Sequence, residues 1–378
     1  MTKHIVIDAR IRRSTTGRYT DRLVTHLQDV DPINRYTILV QPDDDWHLPA
    51  PNFTTLPCPY PQFSVNPLSE LRFAWQLYRL NPDLVHFTMT QQPLLYFGNI
   101  VTTTHDTTMY DFVRRGSTPL VAYNLKMGLY RFLVWWSHKK SRRIITPTKT
   151  VANEYIARQP FTKPKLAVTY ESSEPVMAGR GTQPPGIGKH FLLYVGTAFP
   201  HKNLPRMIEA FDLLHADRPD LQLVITGKRA EKHLVELMTW AKTRPSYNAI
   251  VFPGFVSDAE LRWLYEHCAA YVFTSLSEGF GLPPLEAMAH GAPVVSSNAS
   301  CMPEVYGNAA YYCDATRPHD IAAKIADVLD NASLRTALIK KGYTQLKKYS
   351  WKTMAKETLD VYMDVFAPKN PAREPDFN

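Results

Sequence analysis

Short runs rich in β-branched residues alternate with longer helical patterns along most of the chain, and this alternation constrains the fold more than any other feature. It is typical of parallel strands joined by crossover helices. In the first half the predicted strands are 4–10, 36–41, 84–88, 99–106, 142–148 and 165–171, and the predicted helices are 18–30, 67–80, 119–140 and 149–158. In the second half the predicted strands are 191–196, 221–227, 249–255, 269–275, 292–297 and 309–314, and the predicted helices are 203–217, 229–243, 258–267, 283–290, 318–330 and 332–348. The sequence therefore predicts an α/β fold with two doubly wound parallel sheets.

A change in composition separates the two halves. After Ser172 the chain becomes rich in Gly and Pro and loses its apolar period, as expected of a linker. The 378 residues also exceed the size of one ordinary core. We therefore predict a Rossmann-like domain over 1–172, a linker over 173–189, a second Rossmann-like domain over 190–350, and an amphipathic helix over 351–366 that packs back toward the first domain.

Composition narrows the class of protein. A hydrophobic content of 44% with 21% charged residues is typical of a globular chain. No apolar run approaches the ~20 residues that cross a bilayer, and the first residues lack the features of a signal peptide, so we expect a cytoplasmic protein. The formal net charge of +8 favours an anionic partner, which leaves a nucleotide, a phospholipid surface and nucleic acid open. The cysteines are far apart without a C-x-x-C pair, which argues against a zinc knuckle or a disulfide framework and for reduced thiols in or near the core: Cys58, Cys268, Cys301 and Cys313.

The stretch EGFGLPPLE, residues 278–286, holds the most informative acids. It follows a predicted strand, and ligands of parallel sheets bind outside the carboxyl ends of strands. Its glycines allow close backbone approach, and the following helix offers N–H groups to an anion. Glu278 and Glu286 can accept hydroxyl hydrogen bonds from a sugar or a ribose. The alternative is a pair of solvated surface acids, with a helix-dipole benefit for Glu286.

Several stretches of the chain match the pattern of a known family. In the second half these are YVGTAFPHKNLPRMIEAF (194–211), VITGKR (224–229), VFPGFVSDAELRWLY (251–265) and 274–314 around EGFGLPPLE. Weaker matches in the first half are DARIRRSTTGRYTDRL (8–23), PDLVHFT (82–88), TTTHDTT (102–108) and IITPTKTVANEY (144–155). Together they resemble the retaining glycosyltransferases of family 4, and the first half is most similar to mannosyltransferase-like members. The resemblance implies the GT-B fold, in which two Rossmann-like domains face each other across a donor cleft.

The resemblance also implies roles for single residues. Glu286 matches the acid that bonds the ribose, Glu278 the acid that contacts the donor sugar, and Lys202 the lysine that stabilises the leaving diphosphate. His105 matches a histidine near the reacting carbon of the sugar, so the expected catalytic residues are His105, Lys202 and Glu278. The other expected donor-binding residues are Gly17, Gly196, Thr197, His201, Gly227, Arg229, Gly254, Phe255, Val256, Gly279, Phe280, Gly281 and Leu282.

One departure from the family concerns the phosphate site. Thr197 and His201 stand where the family often has arginine. A neutral imidazole supplies less charge than a guanidinium, so protonated His201, Arg229 or another residue has to supply the missing charge.

Other interpretations of the same residues stay open. Lys202 precedes Asn203, a good N-cap, and a lysine before a helix is often a solvated charge. His105 and Asp106 can form a hydrogen-bonded pair at the end of a strand. The run 43–45 has a metal-binding D-x-D spacing, but its place in a loop favours a solvated turn. The segment 130–143 combines aromatic and basic residues, which suggests either membrane contact or aromatic packing into the core.

The resemblance implies a hexosyltransferase reaction that needs no cofactor and no metal. The donor is a nucleotide sugar, for which GDP-mannose is preferred, and the acceptor is a glycan or lipid-linked saccharide of surface polysaccharide synthesis. The departing phosphate would take the acceptor's proton in a front-face transfer. We expect the protein in the cytoplasm, with contact at the inner face of the membrane as an option.

Three alternatives differ in chemistry. A nucleotide-sugar hydrolase or epimerase would share the fold. A dehydrogenase would need G-x-G-x-x-G after the first strand, where the chain has a single glycine. A non-enzymatic nucleic-acid-binding protein would explain the basic charge, but the basic residues are dispersed and form no recognised motif.

Overall fold

The computed structural model describes residues 2–14, 16–62, 66–113, 118–175, 179–227 and 232–367. The chain divides into two compact units. Unit 1 consists of Met1–Asp106, Ser117–Glu171 and Ser350–Asn378, and unit 2 consists of Thr107–Gly116 and Ser172–Tyr349. The segment Thr107–Gly116 therefore groups with unit 2, whereas the sequence placed it within the first domain.

Unit 1 is built on a parallel sheet. Its strands are β1 (His4–Asp8), β2 (Arg35–Val40), β3 (Phe53–Pro57), β4 (Leu84–Phe87), β5 (Ile100–Thr103), β6 (Arg143–Thr146) and β7 (Leu166–Val168). The strand order is β3-β2-β1-β4-β5-β6-β7, and the β1–β2 register pairs His4 with Arg35 and Asp8 with Leu39. All five residues of β1 are buried, as expected of a parallel strand that is covered on both faces.

The helices of unit 1 are α1 (Gly17–Val30), α2 (Pro67–Leu80), α4 (Leu120–Lys140), α5 (Lys149–Arg158) and α13 (Trp351–Phe366), and a 3₁₀ helix spans Pro160–Lys165. The short helix α3 (Thr108–Asp111) belongs to unit 2. The terminal helix α13 lies against α1. Its Tyr362 hydroxyl is 2.6 Å from Nδ1 of the buried His86 on β4, so a polar contact as well as apolar packing ties this helix to the sheet.

Unit 2 contains the second parallel sheet. Its strands are β8 (Phe191–Val195), β9 (Gln222–Thr226), β10 (Ile250–Gly254), β11 (Ala270–Phe273), β12 (Val294–Ser297) and β13 (Ala310–Cys313), in the order β10-β9-β8-β11-β12-β13. Its other helices are α6 (Leu204–Asp217), α7 (Lys232–Ala241), α8 (Asp258–His267), α9 (Leu282–Ala289), α10 (Met302–Tyr306), α11 (Pro318–Asp330) and α12 (Ala332–Leu346), with 3₁₀ turns at Pro200–Lys202 and Tyr247–Ala249. These two sheets confirm the predicted α/β class.

Strand β3 and the short helices α3 and α10 were absent from the prediction. Strand β3 lies at the edge of its sheet, and only Phe53 of its five residues is buried. It ends in Pro57, a residue that sheets tolerate at an edge. Such a strand has no run of buried apolar residues, so the sequence pattern could not reveal it.

All four cysteines are free and buried, as the sequence predicted. Among the helices in the described ranges, none combines the length and the apolar character needed to cross a membrane.

Candidate functional site

The winding of the unit 2 sheet reverses between β8 and β11. From β8 the chain proceeds to β9 and β10 on one side, and then continues from β11 to β13 on the other. The carboxyl ends of strands at such a reversal form the usual ligand crevice of an open parallel sheet. Lys202 comes after β8 and Glu278 after β11. The structure therefore brings these two predicted residues together from opposite sides of the reversal.

Lys202 and Glu278 form a short ion pair. Nζ of Lys202 is 2.6 Å from Oε1 of Glu278, and the two side chains are only 16% and 11% exposed. The ammonium also lies 5.7 Å from the centroid of the Phe273 ring. A pair so far out of water is screened less than a surface pair. The interpretation of Lys202 as a solvated charge is therefore wrong.

Two residues with left-handed backbone adjoin this pair. Asn203 has φ +60° and Ser300 has φ +52°. The Asn203 amide donates to two backbone carbonyls, at 2.7 and 3.2 Å, and does not cap α6 as the sequence suggested. The Ser300 hydroxyl accepts from N–H of Glu278 at 3.3 Å and lies 3.2 Å from its carbonyl oxygen. Such backbone is costly and persists where the surroundings fix it, often at functional sites.

The loop from Gly279 to Leu282 leads into α9. Gly281 has φ +82°, and a Cβ there would lie 2.2 Å from the hydroxyl oxygen of Tyr306, which itself donates to the Gly281 carbonyl at 2.8 Å. The next helical positions are Pro283 and Pro284, which have no N–H. The amide donors at this helix start therefore come from the loop and from Leu282. The start of α9 offers fewer N–H groups to an anion than was expected of a helix N-terminus from the sequence.

Phe280 anchors the loop. Its side chain is 4% exposed, and its ring meets Tyr349 edge-on at 5.4 Å between centroids. The ring is thus committed to the core of unit 2. Any contact of Phe280 with a ligand would come from its backbone, which agrees with the role the family resemblance implies.

Glu286 is held on α9 by a residue from α8. The Tyr265 hydroxyl donates to Oε2 of Glu286 at 3.0 Å, and Glu286 is 7% exposed. The Tyr265 ring stacks on His290, with centroids 5.6 Å apart and planes at 6°. Glu286 is therefore a fixed, mostly buried acceptor, and the solvated-surface interpretation is wrong for both acids of the motif.

Three glycines end the neighbouring strands β8, β9 and β10 or follow them directly. N–H of Gly196 donates to Thr226, and N–H of Gly227 donates to the Gly254 carbonyl at 3.1 Å. A Cβ on Gly227 would lie 2.1 Å from the Gly196 carbonyl oxygen. These strand ends approach too closely for side chains, so backbone forms the surface there.

The residues beside these glycines differ in exposure. Phe255 is 81% exposed, whereas the next residue, Val256, is 9% exposed. Thr197 is half-buried, and its carbonyl accepts from the Tyr194 hydroxyl at 2.8 Å. An aromatic ring so exposed at the carboxyl end of β10 is available to a flat partner such as a nucleobase.

His201 is 4% exposed and lies among aromatic rings. It stacks on Phe199 at 6.0 Å and lies 5.8 Å from the ring of Phe112, in the segment that groups with unit 2. A histidine this buried is a poor match for an exposed phosphate-binding arginine. Arg229, the other candidate for that charge, lies outside the described residues.

In unit 1, His105 follows β5 and makes two polar contacts. Nε2 lies 2.9 Å from the Thr88 carbonyl oxygen, so it donates there, and Nδ1 lies 3.5 Å from Oε1 of Glu171. The Tyr19 ring meets the imidazole edge-on at 4.9 Å. Burial lowers the pKa of His105, but the hydrogen bond and the charge of Glu171 outweigh it, so the pKa lies above the usual 6.5. Both ring nitrogens face acceptors, which favours the imidazolium, and the partner is Glu171, not Asp106.

Gly17 starts α1 in unit 1. A Cβ there would lie 2.0 Å from the carbonyl oxygen of Arg12 and 2.4 Å from that of Ile11. The preceding turn therefore requires glycine for local reasons. Its predicted approach to the donor phosphates stays a prediction.

The acidic run 43–45 is a salt-bridged turn. Asp44 has a 2% exposed side chain and accepts two hydrogen bonds from Nη1 of Arg12, at 2.7 and 2.9 Å. Asp43 pairs with Arg13 at 2.8 Å. The expectation of a solvated turn was thus wrong for Asp44, whose oxygens are already engaged by a cation. Within the described ranges, no cluster of three or more His, Cys, Asp or Glu could hold a metal ion.

A buried ion pair at the end of β1 was missed by sequence reasoning. Asp8 and Arg10 are 1% and 3% exposed, with Oδ2 of Asp8 2.6 Å from Nη2 of Arg10. The Arg10 guanidinium also donates to the Tyr60 carbonyl at 2.7 Å and lies 4.2 Å from the ring centroid of Phe73. The D-A-R spacing at the end of a buried strand was the available signal.

Two family models match the chain. "Glycosyltransferase Family 4" matches residues 16–171, and "Glycosyl transferases group 1" matches residues 183–345. Together they span most of both units.

Named relatives and a solved structure agree with these matches. The chain is 32% identical over 222 residues to O-antigen chain mannosyltransferase B of Escherichia coli, which is 58% of this chain and 54% of that protein's length. It is 25% identical over 323 residues to O-antigen chain mannosyltransferase RfbU of Salmonella typhimurium, covering 82% and 86% of the two chains. The structure of Anabaena Alr3699/HepE in complex with UDP and glucose aligns with a TM-score of 0.72 at 15% identity, over 96% of this chain and all of that one (100%). The chain therefore belongs to glycosyltransferase family 4 and has the GT-B fold.

Proposed function

We propose that this protein is a retaining hexosyltransferase that moves a sugar from a nucleotide-sugar donor to a glycan or lipid-linked acceptor. The observation that carries the proposal is the buried Lys202–Glu278 pair at the reversal of the unit 2 sheet. One cation, one hydroxyl acceptor and the amides of 279–282 are the groups that a sugar diphosphate requires.

Donor binding follows from the chemistry of each group in unit 2. Lys202 supplies positive charge to the diphosphate, and the amides of the 279–282 loop supply directional donors. Glu286, oriented by Tyr265, accepts the ribose hydroxyls. The exposed Phe255 ring gives the base a stacking surface beside the backbone of Gly254 and Val256.

The bond that breaks joins the anomeric carbon of the sugar to the diphosphate. Negative charge grows on the departing phosphate, and Lys202 stabilises it electrostatically without a metal ion. In the proposed front-face transfer, that phosphate oxygen takes the acceptor's hydroxyl proton as the new glycosidic bond forms. Glu278 binds a donor hydroxyl in this scheme and is no nucleophile. His105 of unit 1, whose pKa is raised by Glu171 against the effect of burial, is assigned to the sugar's reacting end.

The relatives favour mannose as the transferred sugar. Two are named O-antigen chain mannosyltransferases, so GDP-mannose is the preferred donor and a surface polysaccharide intermediate the preferred acceptor. The solved neighbour was crystallised with UDP and glucose, which makes UDP-glucose the second candidate. The cytoplasmic location stays a prediction.

A donor panel tests the proposal. GDP-, UDP- and ADP-sugars are compared for thermal stabilisation of the protein, because a ligand that binds the folded state raises its apparent stability. The preferred donor is then incubated with oligosaccharide acceptors, and the anomeric configuration of the product is read by NMR with and without EDTA. Retained configuration in both samples supports the proposal. If no nucleotide sugar stabilises the protein, the proposal fails.

The rival chemistry is distinguished in the same samples. A hydrolase or an epimerase would convert the donor at full rate without any acceptor. A nucleic-acid-binding protein would show RNA-dependent fluorescence anisotropy at physiological salt and no response to nucleotide sugars.

A further inference from the structure

Unit 1 exposes large apolar side chains along α4. Residues on this helix that are between 38% and 72% exposed are Leu120, Val121, Leu125, Leu129, Phe132 and Trp135. Core packing, one of the two interpretations of this segment, is therefore wrong for Phe132 and Trp135. Exposed apolar side chains gathered in one patch mark binding surfaces, whereas single ones need no explanation.

The apolar residues of α4 are continuous with those of α2 and the loop before β5. The Tyr78 hydroxyl on α2 donates to the Leu95 carbonyl at 3.1 Å and accepts from N–H of Phe97 at 3.0 Å. The Phe97 ring then meets Trp136 of α4 at 6.4 Å, and Phe132 stacks on the same indole at 6.4 Å. These contacts make α2, the loop and α4 one surface, which we call the apolar face of unit 1.

The apolar face is not closed. Between α2 and α4 it opens into a cavity of about 340 Å³. Leu71, Leu95 and Leu129 line it and are each about half exposed, at 50%, 52% and 46%. These apolar side chains thus line a path from the protein surface into the cavity, which is the lining that a hydrocarbon chain entering the cavity would need.

Positive charge accompanies the apolar face. Helix α4 carries the exposed cations Lys126, Arg131 and Lys139 and has no Asp or Glu, and the sequence has no acid between Asp111 and Glu154. The Lys139 ammonium lies 5.8 Å from the Trp135 ring centroid. On α2, Arg79 lies 4.7 Å from the ring of Trp75, and burial raises the pKa of that helix's acid, Glu70.

We propose that the apolar face of unit 1 docks on a bilayer with anionic headgroups. Aromatic and leucine side chains enter the boundary between headgroups and acyl chains, while Lys and Arg meet the lipid phosphates. Charge decides between a bilayer and a second copy of this chain, because two copies meeting through this face would bring their own cations together. The inference is independent of the proposed sugar chemistry.

Vesicle sedimentation with the full chain tests the proposal. The protein is mixed with vesicles of phosphatidylglycerol and phosphatidylcholine in equal parts, and with vesicles of phosphatidylcholine alone. We expect binding to the anionic vesicles, weakened by salt because the lipid charge is screened. The variant L125S/F132S should bind at least about tenfold more weakly, since two inserted side chains are lost.

Matched variants keep the test specific. L213S removes an exposed leucine of unit 2, 40% exposed, and should bind like the wild type. K126Q/R131Q should lose the preference for anionic vesicles while keeping its melting temperature. The proposal is overturned if the wild type ignores anionic vesicles, if L125S/F132S binds them equally well, or if the apolar face instead mediates self-association that L125S/F132S abolishes.

Discussion

The ammonium of Lys202 and the carboxylate of Glu278 are 2.6 Å apart although 76 positions separate the two residues in the chain. The contact joins the loops after β8 and β11, which flank the reversal of the sheet. Because Glu278 neutralises Lys202, a diphosphate that uses this lysine has to compete with the ion pair. The ion pair therefore fixes the position of the Lys202 ammonium and at the same time reduces the affinity of this ammonium for anions.

Substituting each partner should separate the two effects. K202A is expected to lower kcat/KM for the donor by about 10²–10³, as loss of one stabilising donor does in other enzymes. E278Q frees the ammonium, so the free nucleoside diphosphate should bind several times more tightly while sugar transfer falls. Steady-state kinetics and titration calorimetry with the nucleoside diphosphate measure both outcomes.

The control for this pair is K242A, an exposed lysine of unit 2 that should leave both readouts unchanged. Weaker binding of the nucleoside diphosphate to E278Q, or near-normal kinetics of K202A, would show that Lys202 does not hold the phosphates.

Loss of the Tyr265–Glu286 hydrogen bond should weaken binding of the donor. If Glu286 accepts the ribose hydroxyls as proposed, E286Q removes the charge of that acceptor, and we expect donor KM to rise about tenfold or more, as for loss of a charged hydrogen bond. Y265F should have a smaller effect of the same kind because it only releases Glu286. A double-mutant cycle measures the coupling. Additive effects in the double variant would rule out positioning by Tyr265.

The sequence predicted those strands whose run of apolar residues reflects their burial in the sheet. Strands β1 and β11 are buried along their whole length, so their apolar runs were sufficient signals. Strand β3 was missed because an exposed edge imposes no such pattern on its residues. Burial on both faces, and not strand propensity alone, made the strands of the parallel sheets predictable from the sequence.

The sequence predicted those residues of the candidate site that lie together in one local motif. Glu278 and Glu286 lie in a single stretch, but their supports Ser300 and Tyr265 come from other loops and helices. The partner of His105 is likewise distant, since Glu171 lies 66 positions later. Such pairings depend on tertiary packing, and nothing in the local spacing indicates them.

The imidazolium of His105 gives a pH-dependent prediction. Its pKa is raised above 6.5 chiefly because Glu171 outweighs the effect of burial, so the cation persists to higher pH than for a free histidine. If transfer uses this cation, activity is present below the raised pKa and is lost as pH rises through it. E171Q removes the carboxylate and should move the alkaline limb of kcat/KM to lower pH. An unchanged limb in E171Q would exclude His105 as its origin. The charge-matched control is E174Q, which removes a carboxylate three positions further along the chain.

Two other histidines of unit 1 should make the fold sensitive to acid. Burial lowers the pKa of His86 to about 3 and that of His138 to about 4, and both rings are hydrogen-bonded in the core. Below about pH 6.5 the unfolded chain binds protons at these positions while the folded chain does not, so stability falls as pH falls from there toward 4. Each histidine contributes up to ~1.4 kcal/mol per pH unit in this window. Denaturant unfolding followed at several pH values should show this slope reduced in H138Q and unchanged in H319Q, a substitution of an exposed histidine. Equal slopes in the wild type and H138Q would contradict the assignment of acid sensitivity to His138.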